Sequence, residues 1–201
     1  MLLTQNISLF RSNKKIFENI NLSINASKII MLKGRNGSGK TSFLKTLLNI
    51  IEPTSGTIYW KGKLLKNNLS DYFKNVTYIS DKTSSVRELT LYENIKVWRK
   101  ISLSNIKDDQ IEKTLKMLNL YNLSNSKVNT LSLGELKKLE LLRLIIDNKK
   151  LWILDEPLTN LDTDTINIIG KTFEDHCNNK GSIILTSHQK PEIRVSEEIN
   201  F

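Results

Sequence analysis

The sequence predicts an α/β fold with a mainly parallel core sheet, on three observations. Short apolar runs alternate with stretches of helical periodicity. A glycine-rich loop follows one of those runs and precedes a helix. Another apolar run ends in two adjacent carboxylates.

The elements follow in chain order. Lys28–Lys33 is a short apolar run ahead of glycines and reads as a buried strand. From Thr41 to Ile51, Phe43, Leu44, Leu47, Leu48 and Ile51 recur at helical spacing. Pro53–Gly56 is a turn, and Thr57–Trp60 and Val76–Ile79 read as strands. A helical pattern runs from Leu103 to about Tyr121, with Asp108 or Asp109 as cap and Ile111, Leu115 and Leu118 as its buried stripe. Glu135–Asp147 is a second helix, with Leu136, Leu139, Leu142 and Ile146 on one face. Leu151–Leu154 and Ile183–Leu185 are further buried strands, with a helix from Thr163 to about Asn178 between them. The stretch from about Asp81 to Asp147 is mostly helical and is expected to form a lobe beside the core. No linker rich in Pro, Gly or Ser separates the two, so residues 1–201 are read as one domain.

Composition narrows the function classes. The 201 residues suit one domain, and 39% apolar with 25% charged residues is ordinary for a globular protein. No apolar run approaches the roughly 18–20 residues that cross a bilayer. The first residues, Met1–Lys15, have no basic region ahead of a long apolar stretch, so no secretory signal is expected. The expected place is the cytosol, with any membrane role exercised through a partner. A single cysteine, Cys177, allows neither an internal disulfide nor a thiol metal site, and the two histidines, His176 and His188, exclude a His-rich metal centre. The net charge of +9 allows attraction to anionic lipid or nucleic acid, or a lysine-rich surface with its charge spread out. The lysines occur singly or in pairs, without a longer block.

Gly34-Arg35-Asn36-Gly37-Ser38-Gly39-Lys40-Thr41 matches G-x-x-x-x-G-K-[ST] at every fixed position. A triphosphate needs many donors at close range, and backbone N–H groups approach closely only where side chains are absent. Gly34, Gly37 and Gly39 serve that need. The helix starting near Lys40 and continuing through Ser42 aims its N-terminal N–H groups at the anion. Lys40 is expected to reach the β- and γ-phosphates, and the Thr41 hydroxyl to bind Mg²⁺. A Gly-rich turn with a solvated lysine is the plainer reading, and the strand before and helix after the loop speak against it.

Leu151–Leu154 is followed by Asp155, Glu156 and Pro157. A strand end beside the phosphate loop can place Asp155 in the Mg²⁺ shell. Glu156, one residue on, can lie near the γ-phosphate and polarise the attacking water. Solvated acids ending a strand are the plainer reading, which the phosphate loop again disfavours.

Three more features follow in order: Leu131-Ser132-Leu133-Gly134-Glu135 ahead of the acidic strand, Thr159–Asp162 after the acidic pair, and His188 after Ile183–Leu185. This order resembles the ATP-binding domains of ABC transporters, from about Leu3 to His188. The resemblance implies a P-loop NTPase fold of the ABC type, with an antiparallel β subdomain and a helical subdomain at about 81–147. It implies an ATP hydrolase using ATP and Mg²⁺ and working as a homodimer. In that family the LSGGQ signature of one subunit faces the phosphate loop of the other. Ser132 and Gly134 then contact the γ-phosphate of the partner's ATP, Asp162 lines the dimer interface, and His188 is the switch histidine that helps hold the water. Catalysis would fall to Lys40, Glu156 and His188.

The match departs from the family at several points. Leu133 replaces a glycine and Glu135 a glutamine of the signature. A carboxylate near a phosphate is unfavourable unless it points away or pairs, and Lys137 and Lys138 are near in sequence. Ser132 and Glu135 also fit a capping box, a role compatible with the signature. The glutamine usual after the strand that leads into the helical lobe is missing, with Asp81 or Lys82 in its place. Phe10 or Arg11 would stack on adenine.

The acidic-strand run, Leu89–Asn94 and the short stretch after His188 look like the cytochrome c biogenesis export ATPases, the ATPases of haem exporters. That implies a stand-alone subunit, peripheral on the cytoplasmic side of the inner membrane, docked on integral membrane subunits. It also implies a role in haem delivery for c-type cytochrome maturation. Another ABC importer or exporter is the alternative. So is a soluble ABC ATPase acting on nucleic acid, but such chains carry two ATPase units or long coiled coils, and direct nucleic-acid binding is not expected.

Overall fold

The computed structural model describes residues 1–187 and 193–201. Strands β1 (Leu2–Arg11) and β2 (Lys14–Ile24) open the chain as an antiparallel hairpin. Its turn residues Ser12 and Asn13 both have positive φ, the backbone that matches strand twist in a two-residue hairpin loop. β3 (Ile29–Lys33) leads into the glycine loop and α1 (Lys40–Leu47). Next come β4 (Ser55–Trp60), the two-residue β5 (Lys63–Leu64), α2 (Leu69–Lys74) and β6 (Val76–Ile79). Three helices then precede the next strand: α3 (Leu91–Ser102), α4 (Asp108–Met117) and α5 (Leu133–Asp147). β7 (Leu151–Leu154), α6 (Thr163–Asn178), β8 (Ser182–Thr186) and β9 (Glu197–Asn200) complete the order.

The strands form two sheets. One is antiparallel, in the order β2-β1-β4-β5. The other runs β6-β7-β8-β3-β9, with every pairing parallel. Successive side chains of a strand point to opposite faces, and the central strands are apolar on both. Ile30, Leu32, Leu151, Ile153 and Ile184 face α1 and the antiparallel sheet, joining Phe43, Leu44, Leu47 and Trp60. Ile29, Met31, Trp152, Leu154, Ile183 and Leu185 face the opposite way, against residues of α3, α5 and α6 such as Ile95, Leu142 and Phe173. This two-faced burial holds the ends of β3 and β7 in one layer, on either side of β8, and the glycine loop and the acidic pair emerge from those ends.

Several boundaries differ from the sequence expectation. α1 stops at Leu47 rather than Ile51, because Asn49 turns left-handed (φ 55°) and Ile50 is exposed. Leu103 begins no helix. It is the left-handed cap that ends α3 and is 86% exposed. α4 is capped at Lys107, whose N–H donates to Gln110 Oε1 at 3.2 Å. Asp108 and Asp109 sit in the first turn, where their charges favour the helix dipole without capping it. Ile111, Leu115 and Leu118 are buried as the spacing predicts.

Candidate functional site

The phosphate loop is shaped by backbone close approach. Gly39 ends it at φ 107°, and a Cβ there would meet the Ile16 carbonyl oxygen at 2.9 Å, so only glycine fits without strain. The next residue, Lys40, starts α1 and is 6% exposed. Its Nζ crosses the loop to the carbonyl oxygens of Gly34 (2.8 Å) and Arg35 (3.1 Å). Ser38 N–H donates to Arg35 O at 3.1 Å, tightening the turn, while the buried Ser38 Oγ has no hydrogen-bond partner among the described residues. Arg35, Asn36 and Gly37 form the exposed crest, and Thr41 and Ser42 lie half-buried in the first turn of α1. Every predicted loop residue is therefore in one strand–loop–helix cradle whose N–H groups open at a helix N-terminus.

The acidic pair stands at the end of β7. Asp155 is 1% exposed. Its Oδ1 accepts from Thr186 Oγ1 at 2.8 Å, and its Oδ2 is buried without a partner among the described residues. A lone buried carboxylate oxygen is the donor a hard divalent cation takes, and Mg²⁺ is commonly held through one or two carboxylates plus phosphate oxygens. The same Thr186 Oγ1 accepts from Glu156 N–H at 2.8 Å. One hydroxyl on β8 thus orients both acids. Glu156 has a left-handed backbone (φ 47°), uncommon for a residue with a long side chain. Thr159 Oγ1 lies 3.5 Å from its carboxylate. Tyr78, on the neighbouring β6, is pushed above its usual range by burial and then by Asp155 and Asp81.

The signature segment is the start of α5. Ser132 is its N-cap, and Glu135 N–H donates to Ser132 Oγ at 3.3 Å. Glu135 Oε2 accepts in return from Ser132 N–H and Oγ, each at 2.8 Å. These bonds hold the carboxyl below its ordinary range. The capping box is therefore formed, and it turns the Glu135 carboxylate back onto its own helix start. Lys138 does not pair with Glu135. It reaches Asp162 at 3.0 Å. Asp162 caps α6 through Thr165 N–H at 2.8 Å. That bond, then Lys138, keeps its carboxyl far below the usual range. Gly134 packs tightly, since a Cβ would lie 2.9 Å from Asn160 O.

A cleft of about 660 Å³ joins these parts, with Asn36, Asp81, Lys82, Lys137, Glu156 and Asn160 on its walls. His188 lies outside the described residues. Phe10 sits near the end of the β1–β2 hairpin, 38% exposed, its N–H donating to Thr54 Oγ1 at 3.0 Å.

Two participants escaped sequence reasoning. Thr186 is hidden at the end of an apolar strand, between Leu185 and Ser187, where no spacing marks its buried hydroxyl. Glu140, 4% exposed on α5, accepts five hydrogen bonds of 2.6–2.8 Å from Thr83 Oγ1 and from the N–H and Oγ of both Ser84 and Ser85. The signal was an acid one turn after Leu136 on the inward face.

The profile of the ABC transporter family matches residues 17–159. The chain belongs to that family. It is the ATP-binding, ATP-hydrolysing type of subunit. Curated relatives include two proteins named cytochrome c biogenesis ATP-binding export protein CcmA. The one from Reclinomonas americana is 38% identical, covering 94% of this chain and 85% of that protein. The one from Vibrio vulnificus (strain YJ016) is 31% identical, covering 94% and 92%. Among solved structures, an ATP-binding subunit of an ABC transporter superimposes with TM-score 0.82 at 22% identity, over 94% of this chain and 79% of that one. The ATP-binding cassette MJ0796, a dimer in a post-hydrolysis state bound to ADP and Pi, gives 0.77 at 19%, over 94% and 88%. At those identities the structures speak to the fold, which is the ABC ATPase fold with one parallel and one antiparallel sheet.

Proposed function

We propose that this ATPase energises integral membrane subunits in a haem export or delivery step of c-type cytochrome maturation. It would act as a homodimer, peripheral on the cytoplasmic side of the inner membrane. The curated relatives named for cytochrome c biogenesis export support the pathway. Among the described residues no helix is long and apolar enough to cross a membrane, in keeping with a peripheral subunit.

The observation that carries the mechanism is the shared hydroxyl. Thr186 fixes Asp155 and Glu156 together at the strand end next to the phosphate loop. The loop N–H groups and Lys40 bind and orient the β- and γ-phosphates. Thr41 and Asp155 would hold Mg²⁺, which supplies charge neutralisation on the phosphates. Glu156 accepts a hydrogen bond from the attacking water and aligns it with the γ-phosphate. Ser132 and Gly134 of one subunit would close over the nucleotide of the other, and His188 would help hold the water.

The test is Glu156→Gln. Turnover should fall about 10²–10⁴-fold, the usual contribution of a positioned base. ATP binding and ATP-induced dimerisation, followed by size exclusion, should persist. Normal turnover in this variant would remove Glu156 from the chemistry. Affinity capture from solubilised membranes should recover a polytopic partner.

A further inference from the structure

The cleft between the phosphate loop and α5 gathers negative charge. Asp81 and Glu156 are on its walls, and Asp155 stands behind Glu156 at the end of β7. Glu140, also on the wall, is already satisfied by the bonds from Thr83, Ser84 and Ser85. Most nearby cations are engaged elsewhere. Lys40 is bonded to loop carbonyls, Lys138 to Asp162, and Arg143 to Ser84, Glu140 and Asp147. Lys82 and Arg87 are exposed to solvent.

Lys137 is different. It sits on α5, one turn before the inward-facing Glu140 and Leu141, and is half-buried on the cleft wall. Its charged neighbours are Glu140, Asp155, Asp81 and Glu156. Among the described residues it makes no hydrogen bond or ion pair at bonding distance. A partly desolvated ammonium facing several carboxylates without pairing to one of them is placed to serve the group.

We propose that Lys137 is a positioning residue for hydrolysis: from the subunit's own α5 it offsets the repulsion among Asp81, Asp155 and Glu156 and keeps Glu156 aimed into the cleft. The proposal rests on the reading of Glu156 as the residue that aligns water. It gives α5 two tasks. Its N-cap Ser132 is exposed at the helix head, and the turn that follows presents Lys137 to the same subunit's acids.

The experiment measures steady-state hydrolysis and nucleotide affinity of the full chain with ATP and Mg²⁺. Lys137→Met should lower kcat about tenfold, the size of one coupling between neighbouring groups, with KM for ATP unchanged. Lys137→Arg should retain most of the rate. Adding Asp81→Asn to Lys137→Met should restore much of it, because removing one acid offsets removal of the cation. Lys137→Gln repeats the test with a polar side chain should the Met variant melt lower. Wild-type kcat in both neutral variants, a rise in KM with kcat unchanged, or a double variant no faster than Lys137→Met would each overturn the proposal. Glu156→Gln in the same assay separates the two levels. If it is slow while Lys137→Met is normal, Lys137 alone is misassigned. If it hydrolyses normally, the reading beneath the proposal fails.

Discussion

Replacing Thr186 by Val tests the hinge between fold and site. The side chain is fully buried on β8 and makes two hydrogen bonds of 2.8 Å, donating to Asp155 Oδ1 and accepting from Glu156 N–H. Valine keeps the branched shape and removes both. The Glu156 N–H loses its acceptor, at about 1–3 kcal/mol, and the carboxylate loses a donor worth about 1.5–3 kcal/mol. Local relaxation recovers part of this, leaving about 3 kcal/mol. A chain of this size loses about 2–4 °C of melting temperature per kcal/mol, so a fall of about 6–12 °C is expected. Thr186→Ser is the control. It keeps both bonds and deletes one methyl, for about 1 kcal/mol and roughly 3 °C. The assay is thermal melting by circular dichroism, paired with ATP hydrolysis. The Val variant should also hydrolyse more slowly than the Ser variant, because Glu156 loses the contact that fixes its left-handed backbone. A Val variant melting at or above the Ser variant would refute the claim that this hydroxyl organises the acidic pair.

Two further outcomes concern stability against pH. His176 stacks on Trp152 with ring centroids 3.6 Å apart and planes 7° apart, and burial pushes its imidazole down to about 4 from 6.5. The unfolded chain therefore takes up a proton that the folded chain resists, and stability should fall as pH drops from 6.5 toward 4. Melting curves of His176→Phe, which keeps a ring on Trp152, should lose that component of the slope. For Glu140, burial opposes the charge, but the bonds from Ser85, Thr83 and Ser84 win and hold the carboxyl below the ordinary 4.5. Its contribution is present above that value and lost as pH falls through the lower folded one. Glu140→Ala should lower stability at neutral pH by about 3 kcal/mol or more in denaturant titrations, and Glu140→Gln by less, because three Ser and Thr residues and Arg143 lose their acceptor.

The parallel sheet and the phosphate cradle were legible because each rests on local pattern. Strands buried on both faces leave unbroken apolar runs, as at Leu151–Leu154, and the loop needs glycine and lysine at fixed spacing. Of the antiparallel sheet only β4 was read from its own residues, as Thr57–Trp60. Bulges between Thr4 and Ile7, Ile7 and Leu9, and Leu9 and Phe10 break the alternation of β1. β9 is an edge strand whose one inward apolar residue is Ile199, so it shows no run at all. The Leu103 boundary failed for a different reason. The backbone turns left-handed there to end α3, and α4 starts only at Asp108, after its cap at Lys107. Within the site, motif spacing exposed Asp155, Glu156 and Ser132, but not Thr186 or Glu140, whose partners lie about 30 and 55 residues away in the chain. Contacts of that range leave no periodic trace.

The ion pair from Lys138 to Asp162 bears on timing. It bolts the helix headed by Ser132 to the segment that runs on from Glu156. In the proposed dimer, that segment would follow events at a subunit's own nucleotide, while the helix head would meet the neighbour's. Through that bridge a shift of either one would be passed to the other, so that each bound ATP would register the other's fate.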